Sequence, residues 1–116
     1  MAEIFVRRVY DHEGAAPGQK VLVDRLWPRG ISHAELGETT PWLKQIAPSD
    51  ALRHWFDHDP ARWDEFRQRY RAELEANPGP VQQLRNLIAQ GPVTLLFAAR
   101  DTQRNNAVAL RDYMLG

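Results

Sequence analysis

The chain has no cysteine, only two serines and no long apolar run, and each absence excludes a class of protein. Without cysteine there is no disulfide, thiolate nucleophile or Cys-based metal or iron–sulfur site. Ser32 and Ser49 lie outside any nucleophile-elbow pattern, and the sequence has no Gly-rich phosphate loop. No apolar run approaches the roughly 20 residues of a membrane-spanning helix, and the N-terminus lacks the basic-then-apolar order of a secretory signal. We therefore expect a cytoplasmic protein without membrane association.

Lysine is also scarce, because Lys20 and Lys44 are the only two among 15 basic residues. The positive charge therefore consists of planar guanidinium groups, which suit phosphates and carboxylates better than ammonium groups do. A compositional bias toward arginine is the alternative explanation. The formal net charge of zero argues against a domain devoted to nucleic acid, since such binders usually carry a basic surplus.

Length and hydrophobic pattern predict one α/β domain over residues 1–116. Apolar runs predict strands at residues 4–9, 20–25 and 93–99, with a loop at residues 11–18 between the first two. About four to five helices are expected, at residues 42–46, 50–57, after Asp59-Pro60, around 81–90, and after a cap at Thr102. Helices separate the second and third strands, so these two should pair in parallel. The short first connection leaves the direction of the first strand open.

Paired charges follow two of the predicted strands. Asp24-Arg25 closes one and Arg100-Asp101 closes the other. Ligands of open α/β sheets bind beyond the carboxyl ends of the strands, so adjacent strands would place all four groups around one pocket. Trp27 would supply an apolar wall, and other polar residues are close by, at Arg29, Asn105 and Asn106. In the alternative interpretation, Asp24 pairs with Arg100, or Arg25 with Asp101, only to tie the strand ends together.

Two further patterns carry weaker hypotheses. His54 and His58 are four residues apart, as in helical zinc sites, but Pro60 places His58 at a helix end, which favours capping and corner packing. We assign no metal and no cofactor, and metal binding by this pair stays open. Arginines between residues 62 and 71 could contact nucleic acid, although acidic residues are interleaved with them. Trp63, Phe66 and Tyr70 share a helix face that we expect to be core.

Several segments resemble the YeaO-like branch of a bacterial domain-of-unknown-function family, family 488. They are Arg8-Val9-Tyr10-Asp11, Val21-Leu22-Val23-Asp24-Arg25-Leu26-Trp27-Pro28-Arg29-Gly30, Ala47-Pro48-Ser49 with Leu52-Arg53 and Trp55-Phe56, His58-Asp59-Pro60, and Thr94-Leu95-Leu96 with Ala99-Arg100-Asp101. The resemblance implies a compact cytoplasmic bacterial α/β domain and gives no established activity. It implies these motif residues: Arg8, Asp24, Arg25, Trp27, Arg29, His58, Arg100 and Asp101. The sequence departs from the branch at His33, where Lys is expected, and at Asn106, where His or Gln is frequent.

These observations give one leading hypothesis and two alternatives. Arg25, Arg29 and Arg100 would bind a phosphate or carboxylate group of a small molecule, with Arg8, Trp27, His58 and Asn105 as further ligand-binding residues. Asp24 or Asp101 would orient an arginine or act as general base, the latter only where burial raises its pKa. The first alternative is a nucleic-acid-binding or regulatory module without catalysis. The second is an interaction adaptor in which the strand-end charges are fully paired with one another. The oligomeric state stays open.

Overall fold

The centre of the molecule is a small parallel sheet. In the computed structural model, which describes residues 3–11 and 14–116, the strands are β1 (Ile4–Arg8), β2 (Gln19–Leu22) and β3 (Val93–Phe97). β3 lies in the middle and pairs in parallel with both neighbours, with Val21 beside Leu95. The predicted adjacency of the second and third strands is confirmed. β1, whose direction the sequence left open, is parallel as well.

Five helices in the described part of the chain surround the sheet, and together with it they confirm the predicted α/β class. They are α1 (His33–Leu36), α2 (Asp50–Phe56), α3 (Trp63–Glu75), α4 (Pro78–Gln90) and α5 (Asn106–Leu115). Short 3-10 turns at Lys44–Ile46 and Pro60–Arg62 precede α2 and α3. None of the helices in the described part of the chain is both long and apolar enough to cross a membrane.

Both faces of the sheet are buried, as the continuous apolar runs of β2 and β3 predict. Val21 and Leu95 contribute to the large core that includes α2 to α5, whereas Leu22 and Leu96 contribute to a smaller cluster on the other face. All five residues of β3 are buried. Phe66 belongs to the large core, which confirms that the helix face it occupies is core.

Several element boundaries differ from the sequence prediction. Regular β2 ends at Leu22, although Val23 still donates to the carbonyl of Leu96 and keeps the next residue beside β3. α4 starts at Pro78, because proline is tolerated in the first turn, where its missing N–H is not needed. The predicted loop at residues 11–18 contains His12 and Glu13, which lie outside the described residues.

The predicted N-cap of the last helix was wrong. Asn105, and not Thr102, caps α5, and its side chain accepts a hydrogen bond from the amide of Val108. The reason lies in Asp101, whose Oδ1 accepts the amides of Gln103 and Arg104 at 2.9 and 3.0 Å. This side-chain turn occupies the residues in which the helix was expected to begin, so the helix starts one turn later.

Candidate functional site

A cleft of about 1320 Å³ lies beyond the carboxyl ends of the strands. It is bounded by the segments that follow the three strands, by the corner after α2 and by the start of α5. Every predicted site residue lines this cleft: Arg8, Asp24, Arg25, Trp27, Arg29, His58, Arg100, Asp101 and Asn105. The parallel pairing of β2 and β3 explains the arrangement, because the chain leaves both strands at the same edge of the sheet.

Asp24 joins three segments at the floor of the cleft. Its Oδ2 accepts the amide of Ala98 at 2.9 Å, and its Oδ1 accepts the side-chain amide of Asn106 at 3.0 Å. The same Asn106 amide also donates to the carbonyl of Val23 at 3.1 Å. Burial raises the pKa of Asp24 above the ordinary aspartate value, and the hydrogen bonds from Asn106 and Ala98 oppose that rise. The carboxyl group therefore holds β2, β3 and α5 together while it lines the cleft.

Arg25 is oriented by the segment that leads into α2. Its Nε donates to the carbonyl of Pro48 and its Nη2 to the carbonyl of Ala47, both at 3.2 Å. Its Nε also lies 3.8 Å from the carboxylate of Asp50. Three-quarters of the side chain is buried. These contacts fix the guanidinium plane and leave its Nη1 without a protein partner in the described part of the chain.

Arg8 is oriented from the other side of the sheet. Its Nε donates to the carbonyl of Ala99 at 3.0 Å, and its guanidinium lies over the ring of Tyr10, 4.7 Å from the centroid. The Tyr10 hydroxyl in turn donates to the carbonyl of Arg29 at 2.7 Å. Arg8 is thus held through Nε, and Arg25 through Nε and Nη2, so that the two terminal nitrogens of Arg8 and the Nη1 of Arg25 have no hydrogen bond within the described residues.

Asp101 and Asn105 line the cleft, but their polar atoms serve the loop before α5. The two amides that Asp101 accepts lower the pKa of its carboxyl group, and Arg104 lies 3.6 Å away. Asn105 is buried, and its amide donates to the carbonyl of Asp101 at 2.9 Å. Both predicted site residues therefore shape the wall of the cleft.

Arg29 and Arg100 differ from the other arginines of the cleft. Both are exposed, and neither side chain has a hydrogen bond or ion pair within residues 3–11 and 14–116. The pairings that the sequence left open, Asp24 with Arg100 and Arg25 with Asp101, do not form among these residues, so that interpretation was wrong. The strand-end charges line one cleft and form no ion pairs with one another among the described residues.

Trp27 forms a fixed aromatic wall. Its Nε1 donates to the carbonyl of Ile31 at 2.7 Å, and its ring stacks on His33 with centroids 4.1 Å apart. The ring of Trp42 meets it edge-on at 5.4 Å, and Trp42 donates to the carbonyl of Asp24 at 2.7 Å. These contacts leave Trp27 half-buried, with the rest of its surface lining the cleft.

The comparisons with known proteins agree with the motif resemblance. A family model described as the inactive DUF488-N3 subclade matches residues 3–116. The chain belongs to the YeaO-like DUF488 family. Its relatives include the uncharacterized protein YeaO of Escherichia coli K12, 38% identical over 108 residues that cover 93% of each chain. Another is the uncharacterized protein Rv3073c of Mycobacterium tuberculosis H37Rv, 40% identical over 111 residues that cover 96% of this chain and 92% of the relative. No solved structure gives a significant match.

The corner after α2 carries unusual backbone geometry in this DUF488 protein. Asp57 and His58 have φ angles of 48° and 53°, in the left-handed region that residues with a Cβ seldom adopt. Such strain clusters at functional sites, and both residues line the cleft. His54 lines it too, but no group of three potential metal ligands occurs among the described residues. The two histidines therefore lack the further ligand that a zinc site requires.

Sequence reasoning missed Arg53 and gave too little weight to Asn106. Arg53 lines the cleft, lies 3.7 Å from Asp50, and lowers the pKa of Asp24 through its charge. Its signals were its place beside buried Leu52 in a short helix and the presence of Leu52-Arg53 among the segments of the motif resemblance. Asn106, which departs from the family pattern, is the side chain that positions Asp24.

The arginines of α3, on which the nucleic-acid hypothesis rested, have protein partners. Arg67 lies 3.7 Å from Asp112 and Arg71 lies 3.2 Å from Glu75, while Arg69 pairs with Glu65. Arg62, in the turn before α3, likewise has partners: Asp59 at 3.8 Å and the ring of Trp55 at 5.4 Å. These positive charges are largely balanced on the surface of the protein itself.

Proposed function

We propose that the cleft binds a small anionic molecule through a phosphate or carboxylate group. The observation that carries this proposal is the pair of exposed side chains, Arg29 and Arg100, that line the cleft without a protein partner in the described residues. Arg8 and Arg25 add guanidinium groups whose orientation is already fixed by backbone carbonyls. Guanidinium groups of this kind match the two oxygens of a carboxylate or phosphate.

The balance of charge around the cleft supports the same conclusion. Five arginines line it against three aspartates: Arg8, Arg25, Arg29, Arg53 and Arg100 against Asp24, Asp57 and Asp101. Asp101 is held by amides of its own loop, and burial favours the neutral form of Asp24. The cleft therefore has a surplus of positive charge although the whole chain has none.

Binding is proposed as the function, and catalysis is a separate prediction. The description of the matching family model as an inactive subclade supports binding without turnover. If a reaction does occur, Asp24 is the better general base, because its pKa is raised whereas the pKa of Asp101 is lowered. We propose that the protein binds this ligand in the cytoplasm, which is the location that the motif resemblance implies.

The test is a thermal-unfolding titration with inorganic phosphate and with acetate, against chloride at matched ionic strength. A ligand at 100 times its Kd stabilises the fold by about 2.7 kcal/mol, which for a domain of this size raises Tm by roughly 10 °C. The double variant Arg29→Ala/Arg100→Ala should lose the shift, since it removes both unpaired guanidinium groups. These two changes break no hydrogen bond or ion pair of either side chain in the described residues.

Arg85→Ala is the matched control, because Arg85 is an exposed arginine of α4 outside the cleft and without a described partner. It should keep the full shift. Equal shifts in the double variant and in the wild type would contradict the proposal, as would the lack of a shift with either anion. Tight binding of duplex or single-stranded DNA that weakens steeply with salt would favour the nucleic-acid alternative instead.

A further inference from the structure

The cleft is far larger than an inorganic anion requires. Its volume of about 1320 Å³ exceeds the roughly 300–1,000 Å³ of sites for drug-sized ligands, and one water occupies only about 30 Å³ of liquid. Leu26, which is exposed, and Trp27, which is half-buried, give the lining an accessible apolar surface. A bare phosphate would leave this apolar surface in contact with water. The site therefore fits an anion that is attached to an apolar group.

The fixed ring of Trp27 indicates the shape of the ligand's apolar group. Its ring is fixed by the hydrogen bond to Ile31, by the stack on His33 and by the edge contact with Trp42. A ligand that packs against Trp27 meets a flat surface that loses little further rotamer freedom. Planar aromatic groups stack on such a surface more favourably than puckered aliphatic groups do.

The cationic groups lie around the same cleft. Arg29 follows Trp27 by two residues, and its carbonyl accepts the hydroxyl of Tyr10, on whose ring Arg8 lies. Trp27 and Arg29 belong to one short segment, and the hydrogen bond from Tyr10 to that segment links it to Arg8. We infer that the ligand of this cleft is an aryl anion, a phosphate or carboxylate on a flat aromatic ring, and that Trp27 is the residue that selects the ring. This inference rests on the proposed function.

The test is calorimetric titration of the full chain with methyl phosphate, cyclohexyl phosphate and phenyl phosphate. Phenyl phosphate should bind about tenfold more tightly than methyl phosphate and about threefold more tightly than cyclohexyl phosphate. Trp27→Leu should reduce the ratio of the phenyl phosphate affinity to the methyl phosphate affinity to about two. Trp55→Leu is the control, because Trp55 lies outside the cleft and contacts Arg62 and Arg69.

The outcomes separate the two proposals. If all three esters bind equally to the wild type, the aryl inference is overturned and anion binding stands. If phenyl phosphate keeps its advantage in Trp27→Leu, the role given to Trp27 is overturned. If none of the esters binds, the proposed function fails and the inference fails with it. The wild-type comparison of phenyl with cyclohexyl phosphate decides the question even where Trp27→Leu does not fold.

Discussion

Removal of the Asp24 carboxylate tests how the strand ends are joined. Asp24→Ala deletes the acceptor of the Ala98 amide and of the Asn106 side chain. Hydrogen bonds to a charged group contribute about 1.5–3 kcal/mol each. Burial of the charge opposes them, and the raised pKa of Asp24 shows that burial is the larger of these opposing effects. We therefore expect Asp24→Ala to lower the free energy of unfolding at pH 7 by less than the two hydrogen bonds together contribute, that is by about 1–3 kcal/mol.

The raised pKa of Asp24 also determines the direction in which the stability of the protein changes with pH. Because the pKa of Asp24 is raised on folding, the folded protein binds more protons than the unfolded chain between the ordinary value of 3.8 and the raised value. The part of the stability that comes from this proton binding is therefore fully present below the unfolded pKa and is lost as pH rises through the folded pKa, whereas the hydrogen bonds of the carboxylate remain. Asp24→Asn lacks this titration, so the stability difference between wild type and variant should shrink as pH rises across that window.

Urea unfolding followed by circular dichroism, at several pH values between 4 and 7, measures the stability loss in Asp24→Ala and the pH dependence of the difference between wild type and Asp24→Asn. The other carboxyl groups are common to both proteins, so the difference between wild type and Asp24→Asn isolates Asp24. A difference that grows with pH in this range would refute the reasoning, as would an Asp24→Ala variant as stable as the wild type at every pH.

Two other substitutions test the supports of the cleft. Glu73→Ala removes the acceptor of the Ser49 amide and hydroxyl, at 2.9 and 2.6 Å, and should lower the free energy of unfolding by about 1–3 kcal/mol. The control is Arg71→Ala on the same helix, which should change the free energy of unfolding by less than about 0.5 kcal/mol because its partner Glu75 is exposed. Equal effects of the two substitutions in chemical denaturation would contradict this account. Asn105→Ala should destabilise by about 1–2 kcal/mol, because it removes the cap of α5 and its bond to Asp101. Thr102→Ala, at the position that the sequence favoured, should be nearly neutral in the same measurement, and a larger loss there than at Asn105 would refute the assignment.

The pairing of β2 with β3 could be predicted because both strands are continuous apolar runs in the sequence. The apolar runs around Val21 and Leu95 are fully buried, and only strands covered on both faces place such runs side by side. The direction of β1 could not be predicted in this way. Its partner is β3, 85 or more residues along the chain, and nothing in the short connection to β2 specifies that choice.

The position of the site could be predicted, but the partners of its residues could not. Strand ends brought Asp24, Arg25 and Arg100 to one cleft as expected. The acceptors of Arg25, however, are the carbonyls of Ala47 and Pro48, and backbone carbonyls have no signature in the sequence. The pairing hypotheses considered only charged side chains and therefore named the wrong partners. The error at Thr102 has the same origin, because backbone amides captured by a carboxylate displaced the helix start.

The central position of β3 has a consequence for synthesis on the ribosome. Among residues 3–11 and 14–116, β1 pairs with β3 alone and β2 has one further bridge, to Trp42, so that both strands lack their main partner until residues 93–97 have left the exit tunnel. Until then the nascent chain carries two apolar strands without the strand that joins them in the folded sheet. Contacts so distant along the chain slow folding, and they make formation of the cleft one of the last events, since the sheet edge that defines it does not exist before β3 is in place.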